Sequence, residues 1–162
     1  MNLITVSGPP SSGKTALIIK TIESLKIRKL KVGVVKFDCL YTDDDKLYEK
    51  AGVPVKKGLS GSLCPDHYFV SNIEEVVQWG RKEDLDVLIT ESAGLCNRCS
   101  PYIQNIKAVC VIDNLSGINT PKKIGPMLKT ADIVVITKGD IVSQAEREVF
   151  ASRVNSVNPN AV

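Results

Sequence analysis

The chain has 162 residues, 43% of them hydrophobic and 5% aromatic, with 21 basic and 18 acidic side chains for a formal charge of +3. That length suits one domain spanning 1–162 with a Val, Ile and Leu core; the mild, dispersed charge argues against a nucleic-acid surface, and no apolar run reaches the ~20 residues that cross a bilayer. The opening "MNLITVSGPP" lacks the zones of a signal peptide, so the chain is read as cytoplasmic, where its five cysteines are free, catalytic or metal-binding thiols rather than disulfides.

Apolar runs alternate with stretches of helical period. "LITVS" (3–7) reads as a strand and "KTALIIKTIESLK" (14–26) as a helix; "KVGVVKF" (31–37) is the next strand. "TDDDKLYEKAG" (42–52) opens on a capping residue and acids and closes at Gly, as a short helix does. The acids of "DDD" are explained by the helix dipole. "VPVKKG" (53–58) is a short strand, "GSLCPDH" (61–67) a glycine- and proline-containing loop, and "SNIEEVVQWGRK" (71–82) a capped helix. "DVLIT" (86–90), "AVCVI" (108–112) and "DIVVITK" (132–138) are near-continuous apolar runs, the mark of strands covered on both faces. "SQAEREVFASRV" (143–154) is a helix, and "NPNAV" reads as the first residues of a further strand, so the sheet is expected to lack its last strand. Strands interleaved with helices imply an α/β fold with a mostly parallel sheet.

"GPPSSGKT" (8–15) fits G-x-x-x-x-G-K-[ST] between a strand and a helix, the context that pattern needs. Gly8 and Gly13 let the backbone curl with its N–H groups inward. Ser11, Ser12, Lys14, Thr15 and Ala16 complete a phosphate cradle at a positively polarised helix N-terminus. Lys14 is expected to reach the β- and γ-phosphates and the Thr15 hydroxyl to bind Mg²⁺. A hard cation wants further oxygen ligands. Glu91, ending "DVLIT", and Asp38, ending the second strand, are the candidates at the carboxyl edge of the sheet. Gly94 lets the backbone approach a γ-phosphate.

"ITKGD" (136–140) follows the last complete strand and is similar to the N/T-K-x-D element that reads guanine in GTPases. Asp140 would accept from guanine N1–H and the 2-amino group, donors that adenine lacks. Lys138 would lie along the purine, and Thr137 stands where Asn is commoner.

Taken in order, these segments resemble the metallochaperone branch of the SIMIBI P-loop GTPases: the urease accessory G protein and the hydrogenase-maturation nickel GTPase. "FDCLYTDDDKLYEKAGV", "GLSGSLCPDH", "TESAG" and "VIDNLSGINTPKKIGPMLKTADIVVITKGD" carry the likeness through nearly the whole chain. It implies a three-layer α/β/α P-loop NTPase fold. It also implies a Mg²⁺-dependent GTPase of slow turnover, binding GTP and GDP, that delivers a transition metal, nickel first, during maturation of a client metalloenzyme. Homodimerisation and further accessory proteins are the implied partners. No general base can be named. A nucleotide-gated metal carrier or scaffold with negligible turnover, and a small-molecule P-loop kinase, are the rival readings.

In that family a cysteine and histidine in this loop bind nickel or zinc at a face shared by two subunits. Cys64 and His67 hold the position, here as Cys-Pro-x-His with Asp66 inserted. A symmetric dimer would double the pair to Cys₂His₂. Cys96 and Cys99 form one C-x-x-C after Glu91, with four alternatives open: extra thiolates for the same metal, a separate inter-subunit zinc or iron–sulfur site, a redox pair, or no special role. Cys39 reads as a small loop residue and Cys110 as core.

Overall fold

Six strands form one sheet in the computed structural model, which describes residues 1–162. They are β1 (Asn2–Ser7), β2 (Val32–Asp38), β3 (Val55–Leu59), β4 (Val87–Ser92), β5 (Lys107–Asp113) and β6 (Ile133–Thr137). The helices are α1 (Lys14–Ile27), α2 (Asp44–Lys50), α3 (Pro65–Ser71), α4 (Ile73–Lys82), α5 (Thr120–Lys123), α6 (Pro126–Lys129) and α7 (Gln144–Val157), with a 3₁₀ turn at Gly139–Ile141. Strand order is β3-β2-β4-β1-β5-β6, and every pairing is parallel. Parallel strands need crossovers, and the crossovers lay helices on both faces, which is why the central strands are largely apolar rather than alternating, while the edge strand β3 carries Lys56 and Lys57.

Three apolar clusters fasten the layers. Ile18 and Ile22 of α1 and Tyr48 of α2 pack on Val34, Ile89 and Val111 on one face. On the other face Phe69 of α3 and Val76 of α4 cover Val35, Phe37 and Leu88. Phe150 and Val154 of α7 cover Cys110 and Ile112 beside Ile124, Met127 and Leu128. Cys110 is fully buried, as a core residue should be, and burial pushes its thiol up to about 12. α7 is the best-capped helix: Ser143 Oγ accepts from Glu146 N–H, and the Glu146 carboxylate accepts from Ser143 N–H at 2.8 Å, a capping box. Beyond α7, Val162 lies along the outer edge of β6. It donates to Asp132 O at 3.0 Å and accepts from Val134 N–H at 2.9 Å.

The structure corrects the sequence reading in one place that matters for function. Residues 61–67 are not a loop throughout: Cys64 is the N-cap of α3, Pro65 begins that helix, and His67 lies on it. Proline at the first helical turn is preorganised for a helix start, and the helix continues because Phe69 finds Phe37, ring centroids 5.1 Å apart. The helix read over 71–82 is α4, which starts two residues later at Ile73, separated from α3 by Asn72. No helix is long and apolar enough to cross a membrane.

Candidate nucleotide and metal site

The carboxyl ends of β1, β2 and β4 open into a cavity of about 560 Å³. Its lining includes Ser11, Gly13, Lys14, Thr15 and Ala16 of the loop, with Lys36, Asp38, Asp44 and Glu91 opposite. The loop is shaped by two glycines that no other residue replaces easily. Gly8 has φ +149°, and a Cβ there would meet Val111 O at 2.0 Å; Gly13 has φ +95°. No acceptor in the chain takes the N–H groups of Lys14, Thr15 and Ala16, which stand at the start of the 14-residue α1. Unclaimed amides at a positive helix end are an anion site. Lys14 Nζ folds back onto Gly8 O and Pro9 O at 2.9 Å each. Burial lowers its pKa to about 8, with the Glu91 carboxylate opposing that shift.

Glu91 is 1% exposed and accepts three donors. Thr15 Oγ1 reaches Oε1 at 3.0 Å, Lys36 Nζ reaches the same oxygen at 2.9 Å, and Tyr48 OH donates to Oε2. Burial, then the Glu91 charge, raises the Tyr48 phenol far above its ordinary range. Thr15 and Glu91 therefore face one another as hard oxygen donors, a set that fits Mg²⁺. Asp38 lines the same cavity, but its carboxylate is engaged by Cys39 N–H at 2.8 Å and makes no bond to either.

The segment after Glu91 runs back to the loop. Gly94 has φ +71°, and a Cβ there would lie 1.7 Å from Gly8 O, so the two glycine backbones are in direct contact. On the other side, β6 delivers "ITKGD" to the loop's outer wall. Thr137 Oγ1 donates to Ser12 O at 2.6 Å, and Lys138 Nζ to Ser11 O at 2.8 Å. Lys138 has φ +56°, and Asp140 follows in the exposed 3₁₀ turn. Thr137 thus ties the loop to β6.

Three thiols meet in one chain, with His67 beside one of them. The Sγ atoms of Cys64, Cys96 and Cys99 all lie within 4.8 Å of one another. Cys96 and Cys99 Sγ are 3.0 Å apart, and His67 Nε2 is 3.8 Å from Cys99 Sγ. With metal–sulfur bonds of ~2.3 Å, ligand atoms of a tetrahedral ion stand ~3.8 Å apart, so the three thiols have the span of three positions around one such ion. Hydrogen bonding with Cys99 holds the Cys96 thiol below its ordinary range and pushes Cys99 up to about 12. Cys39 stands outside the cluster; its carbonyl accepts from Gly61 N–H.

The family model for the CobW/HypB/UreG nucleotide-binding domain matches residues 2–162. The chain belongs to this family. Protein MJ0120 of Methanocaldococcus jannaschii is 56% identical over 160 residues, 99% of this chain and 68% of that protein. Urease accessory protein UreG 2 of Bradyrhizobium is 28% identical over 149 residues, 85% of this chain and 69% of that one. The crystal structure of HypB from Helicobacter pylori in complex with nickel matches with a TM-score of 0.77 at 22% identity, over 99% of this chain and 76% of that chain. The SIMIBI metallochaperone resemblance and the three-layer parallel fold read from the motifs are borne out at this level.

Within this CobW/HypB/UreG domain, sequence reasoning missed two groups. Lys36 and Tyr48 complete the Glu91 site, and Lys36 carried a signal: it is a lone ammonium in an apolar strand, in register with Glu91 across the β2–β4 pair. The other is Asp66, buried at 1% exposure, which accepts from Ser92 Oγ while its second oxygen has no partner. Burial raises its pKa. It joins α3 to the residue that follows Glu91.

Proposed function

We propose that this chain binds GTP with Mg²⁺, hydrolyses it slowly, and uses the cycle to take up and release a transition metal, nickel as the favoured cargo, for a metalloenzyme under assembly in the cytoplasm. One observation carries the reading: Glu91 of the nucleotide cavity and Cys96 and Cys99 of the thiolate cluster stand on a single nine-residue run, Glu91–Cys99, within which Gly94 rests on the phosphate loop. A change at the γ-phosphate position is therefore one short segment from the metal ligands.

The residues act as follows. The amides of Lys14, Thr15 and Ala16 and the Lys14 ammonium take the phosphate charge; Lys14 exchanges two carbonyl partners for phosphate oxygens. Thr15 and Glu91, with Asp38 on the mouth of the cavity, would hold Mg²⁺, which when bound neutralises charge on the β- and γ-phosphates. Asp140 and Lys138 select guanine, held against the loop by Thr137. Cavity carboxylates are all engaged: Glu91 by three donors, Asp44 by Lys36 and Asp38 by Cys39 N–H, so none is poised as a base and turnover rests on positioning. That favours slow hydrolysis. Cys64, His67, Cys96 and Cys99 hold the cargo as three thiolates and an imidazole, a set suited to nickel or zinc. GTP-dependent pairing of two chains over the nucleotide face is the proposed assembly.

Phosphate release from GTP and from ATP by the purified protein tests the reading. Release from GTP that is lost in Lys14→Ala, with preference over ATP lost in Asp140→Ala, is the expected result. Equal use of both nucleotides, or phosphate transfer to an added acceptor, contradicts it.

A further inference from the structure

Lys36 is 3% exposed in the middle of β2, and a buried ammonium persists only where anions meet it. It has two partners. Glu91 Oε1 is 2.9 Å away and Asp44 Oδ2 is 2.6 Å away. The contact with Glu91 involves the oxygen that Thr15 Oγ1 also reaches, at 3.0 Å. The position between Thr15 and Glu91 is where Mg²⁺ is proposed to bind, so a divalent ion and the Lys36 ammonium lay claim to the same lone pairs and repel one another. The other charged groups around Lys36 are Lys14, whose ammonium is held by Gly8 O and Pro9 O, and Asp38, which lines the same cavity. Asp38 is already engaged by Cys39 N–H, so Asp44 is the partner that receives a displaced ammonium; it is the first residue of α2 and lines the cavity.

We propose that Lys36 is the resident counter-cation of the Mg²⁺ position. It neutralises Glu91 while the cavity holds no nucleotide, competes with Mg²⁺ for Glu91 Oε1, and moves fully onto Asp44 when Mg²⁺ takes that oxygen, drawing the first turn of α2 inward. Lys36 is thus a positioning residue, acting through Glu91 and Asp44 rather than on the phosphates. This rests on the reading of Thr15 and Glu91 as Mg²⁺ ligands.

The test is the free Mg²⁺ concentration that half-saturates tight binding of a fluorescent GDP analogue to the full chain, followed by nucleotide fluorescence. Lys36→Met keeps the apolar stem and removes the competitor, so the Mg²⁺ requirement falls about fivefold or more. Asp44→Asn, at a partly exposed position that folding tolerates, removes the ammonium's second partner, so the requirement rises about threefold. In EDTA both variants bind the analogue within about twofold of wild type, and Lys36→Arg keeps the wild-type requirement. If Lys36→Met does not fold, the rise in Asp44→Asn decides the matter alone. An unshifted or higher requirement in Lys36→Met, no rise in Asp44→Asn, or weaker binding in EDTA, which would make Lys36 a phosphate ligand, overturns the proposal. Wild-type binding indifferent to Mg²⁺ overturns the Mg²⁺ reading as well; Mg²⁺-dependent wild type with unshifted variants overturns only the role of Lys36.

Discussion

The phosphate loop and the thiolate cluster are joined through Gly94, which touches Gly8 and stands two residues before Cys96, and are built in opposite ways. The loop is one contiguous stretch, Gly8–Ala16, whose ligands are mostly main-chain amides fixed by β1, α1 and two glycines, Gly8 against β5 and Gly94 and Gly13 against Thr137. The cluster is made of side chains from two distant segments, the start of α3 and the run after β4, and its cysteines are half-buried at the surface. A site made of backbone on a parallel sheet is fixed whether or not its ligand is present. A site of side chains on connecting segments can change its geometry when one of those segments moves. The difference suits the proposed roles, with the rigid region sensing the nucleotide and the adaptable region holding the metal.

Removing a ligand from either region should sharpen that contrast. Lys14→Ala strips the loop of its only ammonium, and phosphate release should fall by about 10²–10³-fold while the metal affinity of the nucleotide-free protein is unchanged. Retained hydrolysis would place the phosphate elsewhere. Cys96→Ser or Cys99→Ser should lower nickel or zinc affinity by at least the ~10–100-fold that loss of an outer partner costs, with nucleotide binding intact. Equal metal binding by wild type and both variants would remove the thiolate site.

Gly94 is where the two regions touch. Gly94→Ala places a methyl against Gly8 O at a positive φ, a strain of about 1–3 kcal/mol. It should therefore weaken nucleotide binding by about tenfold and disturb metal affinity too. An effect on only one of them would show that the segment does not join them.

The smallest effect concerns protons. Lys14 in the nucleotide-free protein titrates at about 8, below its ordinary value of 10.5. Between those values the unfolded chain holds more protons, so this residue makes the nucleotide-free protein more stable as pH rises through that window. Phosphate restores the ammonium, so GTP binding near pH 8.5 should take up a fraction of a proton, read by calorimetry in buffers of different ionisation enthalpy. No uptake would mean that Lys14 stays charged throughout.

The same contrast explains what the sequence made legible. The phosphate loop and "ITKGD" are local patterns tied to a strand end, and their order along the chain led to the fold and the family. Cys64, His67, Cys96 and Cys99 were all named from sequence, but their meeting in one chain depends on Phe69 seating α3 against Phe37, a contact between segments some thirty residues apart that no spacing rule reports. Lys36 and Asp66 were missed because each depends on a cross-strand or cross-layer neighbour, Glu91 for one and Ser92 for the other. The helix over 65–71 was missed because its glycine and proline surroundings look like a loop until Pro65 is recognised as a first-turn residue.

The claim that nucleotide occupancy is transmitted along Glu91–Cys99 to a metal site complete in one chain is tested most directly by one titration. Nickel or zinc is competed against a chromophoric chelator at protein concentrations where the chain is monomeric, with and without a non-hydrolysable GTP analogue and Mg²⁺. The account predicts one ion per chain and an affinity that the analogue shifts by about tenfold or more. One ion per two chains, or the same affinity in both states, would contradict it.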